Sequence, residues 1–135
     1  MSKRITPKYI DQLGDNQIFV FGSNLSGIHG AGAAKLALKW GAKWGDCEGL
    51  RGKTYAIPTK DKNVVRTLSV NEIRPYVDRF TQYAEQNPKL TFLVTEIGCG
   101  LAGLTPNQIA PLFKEAESID NIHLPATFWY LDKIQ

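Results

Sequence analysis

Short apolar runs alternate with segments of helical periodicity along this chain, and this alternation limits the fold more than any other feature. The apolar runs are Ile18–Phe21, Thr54–Ile57, Leu90–Thr95 and Leu124–Leu131. Strands that alternate with helices favour right-handed crossovers and a parallel sheet covered by helices on both faces. The sequence therefore predicts an α/β fold, and more specifically a three-layer α/β/α sandwich with a mainly parallel sheet.

Local signals mark where the predicted helices begin and end. Ser69–Glu72 and Thr105–Gln108 are capping boxes, each followed by apolar residues at helical spacing. Another helix is predicted from Ala33 to the stop at Gly41, and a short one over Pro7–Leu13.

The length and composition are those of an ordinary globular domain. The chain has 135 residues, of which 43% are hydrophobic and 21% charged, so we expect a single domain over residues 1–135. The sequence contains no heptad repeat and no obvious apolar patch, which makes a monomer the expected state.

Charge and residue counts exclude several classes of function. The net charge of +3 suits an anionic ligand, but no Lys/Arg block is dense enough for a nucleic-acid interface. Two cysteines cannot form a disulfide framework, and two histidines, His29 and His123, make a histidine metal site improbable. No apolar stretch follows Met1–Arg4 and none approaches the ~18 residues of a membrane span, so we expect a cytoplasmic protein without membrane contact.

A first glycine-rich loop, Gly22–Ala34, connects the first apolar run to a predicted helix. Glycine and alanine let a ligand approach the backbone, and a helix start offers unpaired N–H groups to phosphate. The alternative is that these glycines only satisfy turns. The loop is not a dinucleotide fingerprint, because Lys35 stands where that motif needs Gly or Ala, and the chain contains no Walker sequence.

A second loop of the same kind, Ile97–Leu104, follows the third apolar run and precedes the helix capped at Thr105. In a parallel sheet, ligands bind beyond the carboxyl ends of the strands, where both loops are predicted to lie. Two such loops at neighbouring strand ends predict a site that holds a diphosphate from both sides.

These motifs together resemble a macro domain, the α/β module that binds ADP-ribose. The similar branch contains the terminal ADP-ribose glycohydrolases and the antitoxins that remove ADP-ribose from DNA. His29–Ala34 is similar to the first loop of that branch, and Asn24 precedes His29 by five residues, as in viral macro domains. Tyr55–Lys60 resembles its strand that ends in Thr-Lys, and Ile97–Leu101 resembles its second loop. The resemblance covers residues 18–113.

The resemblance implies ADP-ribose, or an ADP-ribosylated molecule, as the ligand and no bound cofactor. The diphosphate and distal ribose would lie along the two loops. The expected ligand-binding residues are Gly22, Asn24, His29, Gly30, Ala31, Gly32, Ala33, Thr59, Gly98, Cys99, Gly100, Leu101, Ala102 and Gly103. Nucleic acid is expected only as an ADP-ribosylated substrate.

The resemblance also implies a catalytic lysine that attacks the anomeric carbon, and Lys60 stands at its position. Relatives keep an aspartate in the second loop or after the first, whereas this chain has Ala102 and Ala34 there. Asp61 and His29 are therefore the candidate acids. The alternative interpretations are that Lys60 is a solvated loop lysine and that His29 is a loop histidine hydrogen-bonded to the backbone.

Three other side chains near the loops also have two interpretations. Asn24 binds a ribose hydroxyl or caps its own turn. Glu96 binds a hydroxyl or pairs with a lysine, and Cys99 is more typical of a buried space-filler than of a nucleophile.

Three functions agree with these residues. The first is a hydrolase that releases ADP-ribose, or the phosphate of ADP-ribose-1″-phosphate, through Lys60. The second is a non-catalytic reader of ADP-ribose or a related signalling nucleotide, since Ala34 and Ala102 replace the acids. The third is an ordinary nucleotide-binding domain, which would bind NAD and ADP-ribose equally.

Overall fold

Five strands form one sheet in the computed structural model, which describes residues 3–100 and 102–129. The strands are β1 Gln17–Asn24, β2 Gly49–Arg51, β3 Thr54–Lys60, β4 Thr91–Val94 and β5 Ile122–His123. Their order across the sheet is β2-β3-β1-β4-β5, with β2 antiparallel to β3 and all other pairs parallel. The predicted α/β class with a mostly parallel sheet is confirmed.

Helices occupy the connections between the parallel strands. They are α1 Gly32–Ala37, α2 Val70–Gln86, α3 Pro106–Ile109 and α4 Ala126–Trp129, with short 3₁₀ helices at Leu38–Trp40, Ala110–Phe113 and Glu115–Ser118. Both predicted capping boxes are present, at Ser69 and at Thr105. Gly41 ends the first helical segment with a φ of 110°, as its position predicted.

The two faces of β1 pack against different helices, because alternate residues of a strand point in opposite directions. Ile18 and Val20 belong to a buried cluster with side chains of α2. Phe19 and Phe21 belong to a second cluster that includes Ala34 and Ala37 of α1. Helices α1 and α2 therefore cover opposite faces of β1.

The chain reverses its direction across the sheet after β3. The crossover from β1 to β3 goes one way, and the crossover from β3 back past β1 to β4 goes the other way. With right-handed connections, the loop that follows β1 leaves toward one face of the sheet and the loop that follows β4 leaves toward the other. A crevice opens between such strands, and ligands bind there in open α/β sheets.

Two local predictions are wrong and one strand was missed. The predicted strand Leu124–Leu131 is replaced by β5, which ends at His123, and by helix α4; residues 130 and 131 lie outside the described part. A short apolar run has no periodicity that separates a buried strand from a helix, and the N–H of Phe128 donates to the carbonyl of Pro125 at 2.9 Å.

The predicted helix over Pro7–Leu13 is also absent, since this segment consists of bends and coil. The chain there is instead held to the sheet by a bridge between Ile5 and Leu124. Strand β2 was missed because it has only three residues, of which two are exposed.

Candidate functional site

A pocket of about 450 Å³ lies at the carboxyl ends of β1, β3 and β4, where the crevice opens. Most of the predicted ligand-binding residues line it, namely Gly22, Asn24, Gly30, Ala31, Gly32, Ala33, Thr59, Gly98, Gly100 and Ala102. Lys60 lines it as well. We call this cavity the glycine pocket. Leu101 lies outside the described residues, and His29, Asp61, Cys99 and Gly103 are not part of the wall.

Several glycines around the glycine pocket are required by the fold itself. A Cβ on Gly27 would come within 2.4 Å of the backbone of Gly45, and Gly27 has a φ of +71°. A Cβ on Gly98, whose φ is +75°, would lie 3.1 Å from the side chain of Ile109. A Cβ on Gly22 would lie 3.4 Å from the backbone nitrogen of Gly98. Gly27 and Gly98 therefore need no ligand to explain them, whereas Gly22 has no positive φ and its Cβ would come no closer than 3.3 Å, to the Thr59 hydroxyl.

Gly30 and Gly100 are different, because the fold gives no reason for glycine at either position. Their φ angles are not positive, and a Cβ on Gly100 would meet no atom within 4 Å. A Cβ on Gly30 would meet only Ile28, at 4.0 Å. Both residues line the glycine pocket, one from each loop.

Backbone N–H groups in both loops are available to an anion. The bond from Lys35 N–H to the Ala31 carbonyl (3.2 Å) starts the helical pattern, so the N–H groups of Gly32 and Ala33 have no acceptor within the helix. No side chain caps this end of α1. Within the described residues, the N–H groups of Gly100 and Ala102 have no backbone acceptor either.

Asn24 holds the first loop in shape. Its Nδ2 donates to the carbonyl of Ile28 at 2.7 Å, and its Oδ1 accepts from the Ile28 N–H at 2.9 Å and from the Ser26 hydroxyl at 2.9 Å. These contacts are those of a residue that caps its own turn, which is one of the two interpretations of Asn24. The second N–H of the Asn24 amide donates to no described residue.

His29 is not among the residues that line the glycine pocket, and its catalytic role stays a prediction. Its side chain is 1% exposed, its Nε2 lies 2.8 Å from the carbonyl oxygen of Lys43, and its ring packs edge-on against Phe21 and near Trp44. Because a carbonyl only accepts, Nε2 carries the proton. His29 therefore anchors the first loop on the segment around Lys43.

Asp61 also has a structural role. Its Oδ1 accepts hydrogen bonds from the N–H groups of Val65 and Arg66, at 3.1 and 3.2 Å, and closes the turn that follows β3. Desolvation acts to raise the pKa of Asp61, but these backbone hydrogen bonds outweigh it and hold the pKa below its usual value. Asp61 is not among the residues that line the glycine pocket, and its catalytic role stays a prediction.

Lys60 is the catalytic candidate that lies in the pocket wall. It ends β3, its side chain is half-buried, and its carbonyl accepts from the Leu25 N–H at 3.0 Å. No ion pair involves Lys60 in the part of the chain that the structure describes. An ammonium group without an anionic partner in the wall of a pocket favours an anionic guest.

Cys99 is a packing residue, in agreement with the space-filling interpretation. Its Sγ lies 3.5 Å from the carbonyl oxygen of Ile97, and the residue packs against the core cluster that contains α2. Burial, with a contribution from the charge of Glu96, raises the pKa of the Cys99 thiol to about 11. The thiol therefore stays protonated and unreactive at neutral pH.

A second, larger cavity adjoins the glycine pocket and was not predicted. It measures about 980 Å³ and is lined mainly by apolar groups of residues 5–11, β1, α1 and residues 125–127. We call it the apolar pocket. Ala33, Thr95 and Glu96 line both cavities. Sequence reasoning missed it because residues 5–11 come from the chain start and residues 125–127 from near its end, and only the bridge at Ile5 brings them together.

Comparisons of the chain with protein-family models, with curated proteins and with solved structures find no match.

Across residues 3–100 and 102–129, no three His, Cys, Asp or Glu side chains come together in a group that could hold a metal ion. None of the helices in these ranges has the length and apolar character needed to cross a bilayer. The function is therefore argued from the geometry of the two pockets.

Proposed function

We propose that this chain is a macro-domain-like α/β/α module that binds ADP-ribose or a close derivative. The main support for the proposal is that Gly30 and Gly100 line one pocket, one from each loop, although the fold requires glycine at neither position. A diphosphate between these loops would accept hydrogen bonds from the N–H groups of Gly32, Ala33, Gly100 and Ala102. The Lys60 ammonium would add a favourable charge.

The apolar pocket extends the proposal from a phosphate to a nucleotide. It offers an apolar chamber of about 980 Å³ that shares the lining residues Ala33, Thr95 and Glu96 with the glycine pocket. Small-molecule sites are mostly apolar, with a few polar groups that fix orientation. A purine would occupy the apolar pocket while its diphosphate lies between the glycine loops.

Calorimetric titration with ADP-ribose, NAD, ADP and AMP tests this proposal. ADP-ribose is expected to bind more tightly than AMP, because AMP lacks the second phosphate and the distal ribose. NAD is expected to bind more weakly than ADP-ribose, since its nicotinamide adds bulk at the distal ribose. Binding of none of the four nucleotides would refute the proposal. Equal affinity for NAD and ADP-ribose would favour an ordinary nucleotide-binding domain.

Hydrolysis of an ADP-ribosyl conjugate is a second candidate function, and the position of Lys60 favours it. Lys60 lies in the pocket wall at the end of β3. After its ammonium gives up a proton to water, the amine would form a bond to the anomeric carbon as the bond from that carbon to the conjugate breaks, and the departing conjugate would take up a proton from water. Water would then release ADP-ribose and regenerate the lysine. With Ala34 and Ala102 in place of acids, and His29 and Asp61 elsewhere, a non-catalytic reader is the alternative.

A pair of Lys60 variants separates the two functions. Lys60→Arg keeps the positive charge and is expected to keep ADP-ribose affinity, while turnover of ADP-ribosyl-DNA, an ADP-ribosyl ester or ADP-ribose-1″-phosphate is lost. Lys60→Met is expected to weaken binding as well. Turnover that persists in Lys60→Arg would contradict a lysine nucleophile, and a wild-type protein without turnover of any of these compounds would be a reader.

The proposed module acts as a monomer in the cytoplasm on a soluble ADP-ribosylated molecule. Light scattering in the presence and absence of ADP-ribose tests the monomeric state, and a dimer would contradict it.

A further inference from the structure

Glu96 lies at the junction of the two cavities. It follows β4 after Thr95, and it lines both the glycine pocket and the apolar pocket. Among the described residues that line both cavities, Ala33, Thr95 and Glu96, only Glu96 is charged. The Thr95 hydroxyl is already committed, since it donates to the carbonyl of Val20 at 2.7 Å. Glu96 is therefore the polar group that a ligand spanning both cavities meets midway.

The Glu96 carboxylate is oriented but not neutralised. The hydroxyl of Thr127, in α4, donates to Glu96 Oε2 at 2.6 Å. No ion pair involves Glu96 among the described residues, so the lysine pairing that the sequence left open is not found there. An ionised carboxylate has about four lone-pair positions, and Thr127 uses one. Glu96 Oε1 accepts no hydrogen bond from a described residue.

The position of Glu96 indicates which chemical group of a bound nucleotide it would contact. In a nucleotide whose diphosphate lies between the glycine loops and whose base lies in the apolar pocket, the group between the two is the ribose. A ribose carries two neighbouring hydroxyls that both donate, and a carboxylate accepts from both. A diphosphate oxygen, by contrast, would be repelled at this point. We propose, on the basis of the function proposed above, that Glu96 binds the 2′,3′-diol of this ribose and that Thr127 orients it.

The proposed contact makes the protein selective among nucleotides. A 2′-deoxy or 3′-deoxy ligand offers the exposed Glu96 carboxylate one hydroxyl donor instead of two, which weakens binding. A 2′-phosphate places like charges together and is rejected more strongly. The protein therefore takes ribonucleotides with a free diol and excludes 2′-phosphorylated ones.

Titration of the wild-type protein with ADP, 2′-deoxy-ADP and 3′-deoxy-ADP tests the contact. ADP is expected to bind about three- to tenfold more tightly than either deoxy analogue, because a hydrogen bond to an exposed group contributes about 0.5–1.5 kcal/mol. In Glu96→Ala the three ligands are expected to bind within about twofold of each other, and in Thr127→Val the preference for ADP is reduced.

A charge-specific readout separates the proposal from a merely structural role. Glu96→Gln, nearly isosteric with the native residue, is expected to bind adenosine 2′,5′-bisphosphate more tightly than the wild-type protein does, because the like charge is gone. Glu85→Gln removes an exposed carboxylate on α2 and serves as the matched control, with no change expected. Thermal melts of each variant without ligand verify that it is folded.

The outcomes distinguish the two proposals. Failure of the wild-type protein to bind ADP or ADP-ribose overturns the proposed function and this inference together. Binding of ADP with equal affinity for both deoxy analogues leaves the function standing and overturns the role of Glu96 alone. Selectivity for ADP that persists unchanged in Glu96→Ala also overturns it.

Discussion

Glycines in the two loops fall into two groups once each is examined for what a Cβ would touch. Gly27 and Gly98 have positive φ angles and close backbone or side-chain neighbours, so the fold itself excludes other residues there. Gly30 and Gly100 have neither. From sequence alone the glycines look alike, and only the second pair carries information about a ligand.

Alanine substitution at Gly30 and at Gly100 is expected to separate stability from binding. Because neither position needs a positive φ, Gly30→Ala and Gly100→Ala should raise the free energy of unfolding by about 0.4–1 kcal/mol or leave it unchanged. ADP-ribose affinity should fall at least about tenfold, since each new methyl group projects toward the ligand. Urea unfolding and calorimetry measure the two effects.

Gly98→Ala is the matched control for these two variants. It introduces a side chain at a φ of +75° and against Ile109, so it should lower the free energy of unfolding by more than 1 kcal/mol. Full ADP-ribose affinity in Gly30→Ala and Gly100→Ala would mean that the loops do not approach the ligand closely.

At the scale of elements, the start of α2 is tied to the turn that follows β3. Arg66, in that turn, donates to both oxygens of Glu72 at 2.8 and 3.2 Å, and Glu72 also accepts from the N–H of Ser69 in the capping box. The hydrogen bond from Arg66, followed by that from Ser69, lowers the pKa of Glu72 to about 2. The contact between Arg66 and Glu72 fixes the turn that follows β3, and Lys60 lies directly before this turn.

The stabilisation from Glu72 should depend on pH in a defined direction. A carboxyl group whose pKa is lowered by folding stabilises the folded state above its unfolded pKa of 4.5, and this contribution is lost as pH falls toward about 2. Glu72→Gln should therefore be less stable than the wild type at pH 7, with a difference that shrinks below pH 4.5. Urea unfolding between pH 7 and pH 2.5 measures it. A difference that stays constant with pH would contradict the role of the charge.

A second element-scale contact fixes the segment that walls the apolar pocket. The Arg4 guanidinium donates to the carbonyls of Glu117, Ile119 and Ile122 at 2.9–3.0 Å, and the Arg4 carbonyl accepts from the indole N–H of Trp129 at 2.7 Å. Residues 5–11, which follow directly, line the cavity. Arg4 therefore links the chain start to the region around β5 and α4.

Arg4→Met should destabilise the protein and weaken binding of the base. Loss of the charged hydrogen bonds is expected to lower the free energy of unfolding by about 2 kcal/mol. If residues 5–11 enclose the base, AMP and ADP-ribose should bind more weakly, whereas inorganic pyrophosphate, which needs only the glycine pocket, should bind as before. Calorimetry with the three ligands decides this, and an equal loss for pyrophosphate would contradict a separate base site.

At the scale of the whole molecule, the glycine pocket lies at the carboxyl edge of the sheet, and the apolar pocket shares Ala33, Thr95 and Glu96 with it. The crevice exists because the loops after β1 and β4 leave in opposite directions. A ligand that bridges both cavities contacts residues from the chain start, both glycine loops and α4, so it should stabilise the fold as a unit.

ADP-ribose should therefore protect the protein against unfolding more than its fragments do. At a free concentration of 100 times its Kd, a ligand that binds only the folded state adds about 2.7 kcal/mol to the free energy of unfolding. At one fixed concentration, the rise in Tm should be largest for ADP-ribose, smaller for AMP and smallest for pyrophosphate. Gly100→Ala should reduce the rise with ADP-ribose, by about half for a tenfold loss of affinity. Equal shifts for the three ligands would mean that the cavities do not act together.

The sequence by itself determined the α/β class, the first three apolar strands, the capped helix starts and the glycine loops. These are short-range properties, set by the spacing of apolar residues and by hydrogen bonds between residues three apart. Tertiary structure alone decided that His29 and Asp61 are engaged in loop anchoring, that Lys60 and Glu96 line the pocket, and that residues 5–11 enclose a second cavity. Side-chain direction at a loop and contact between chain ends depend on long-range packing, which no local pattern in the sequence encodes.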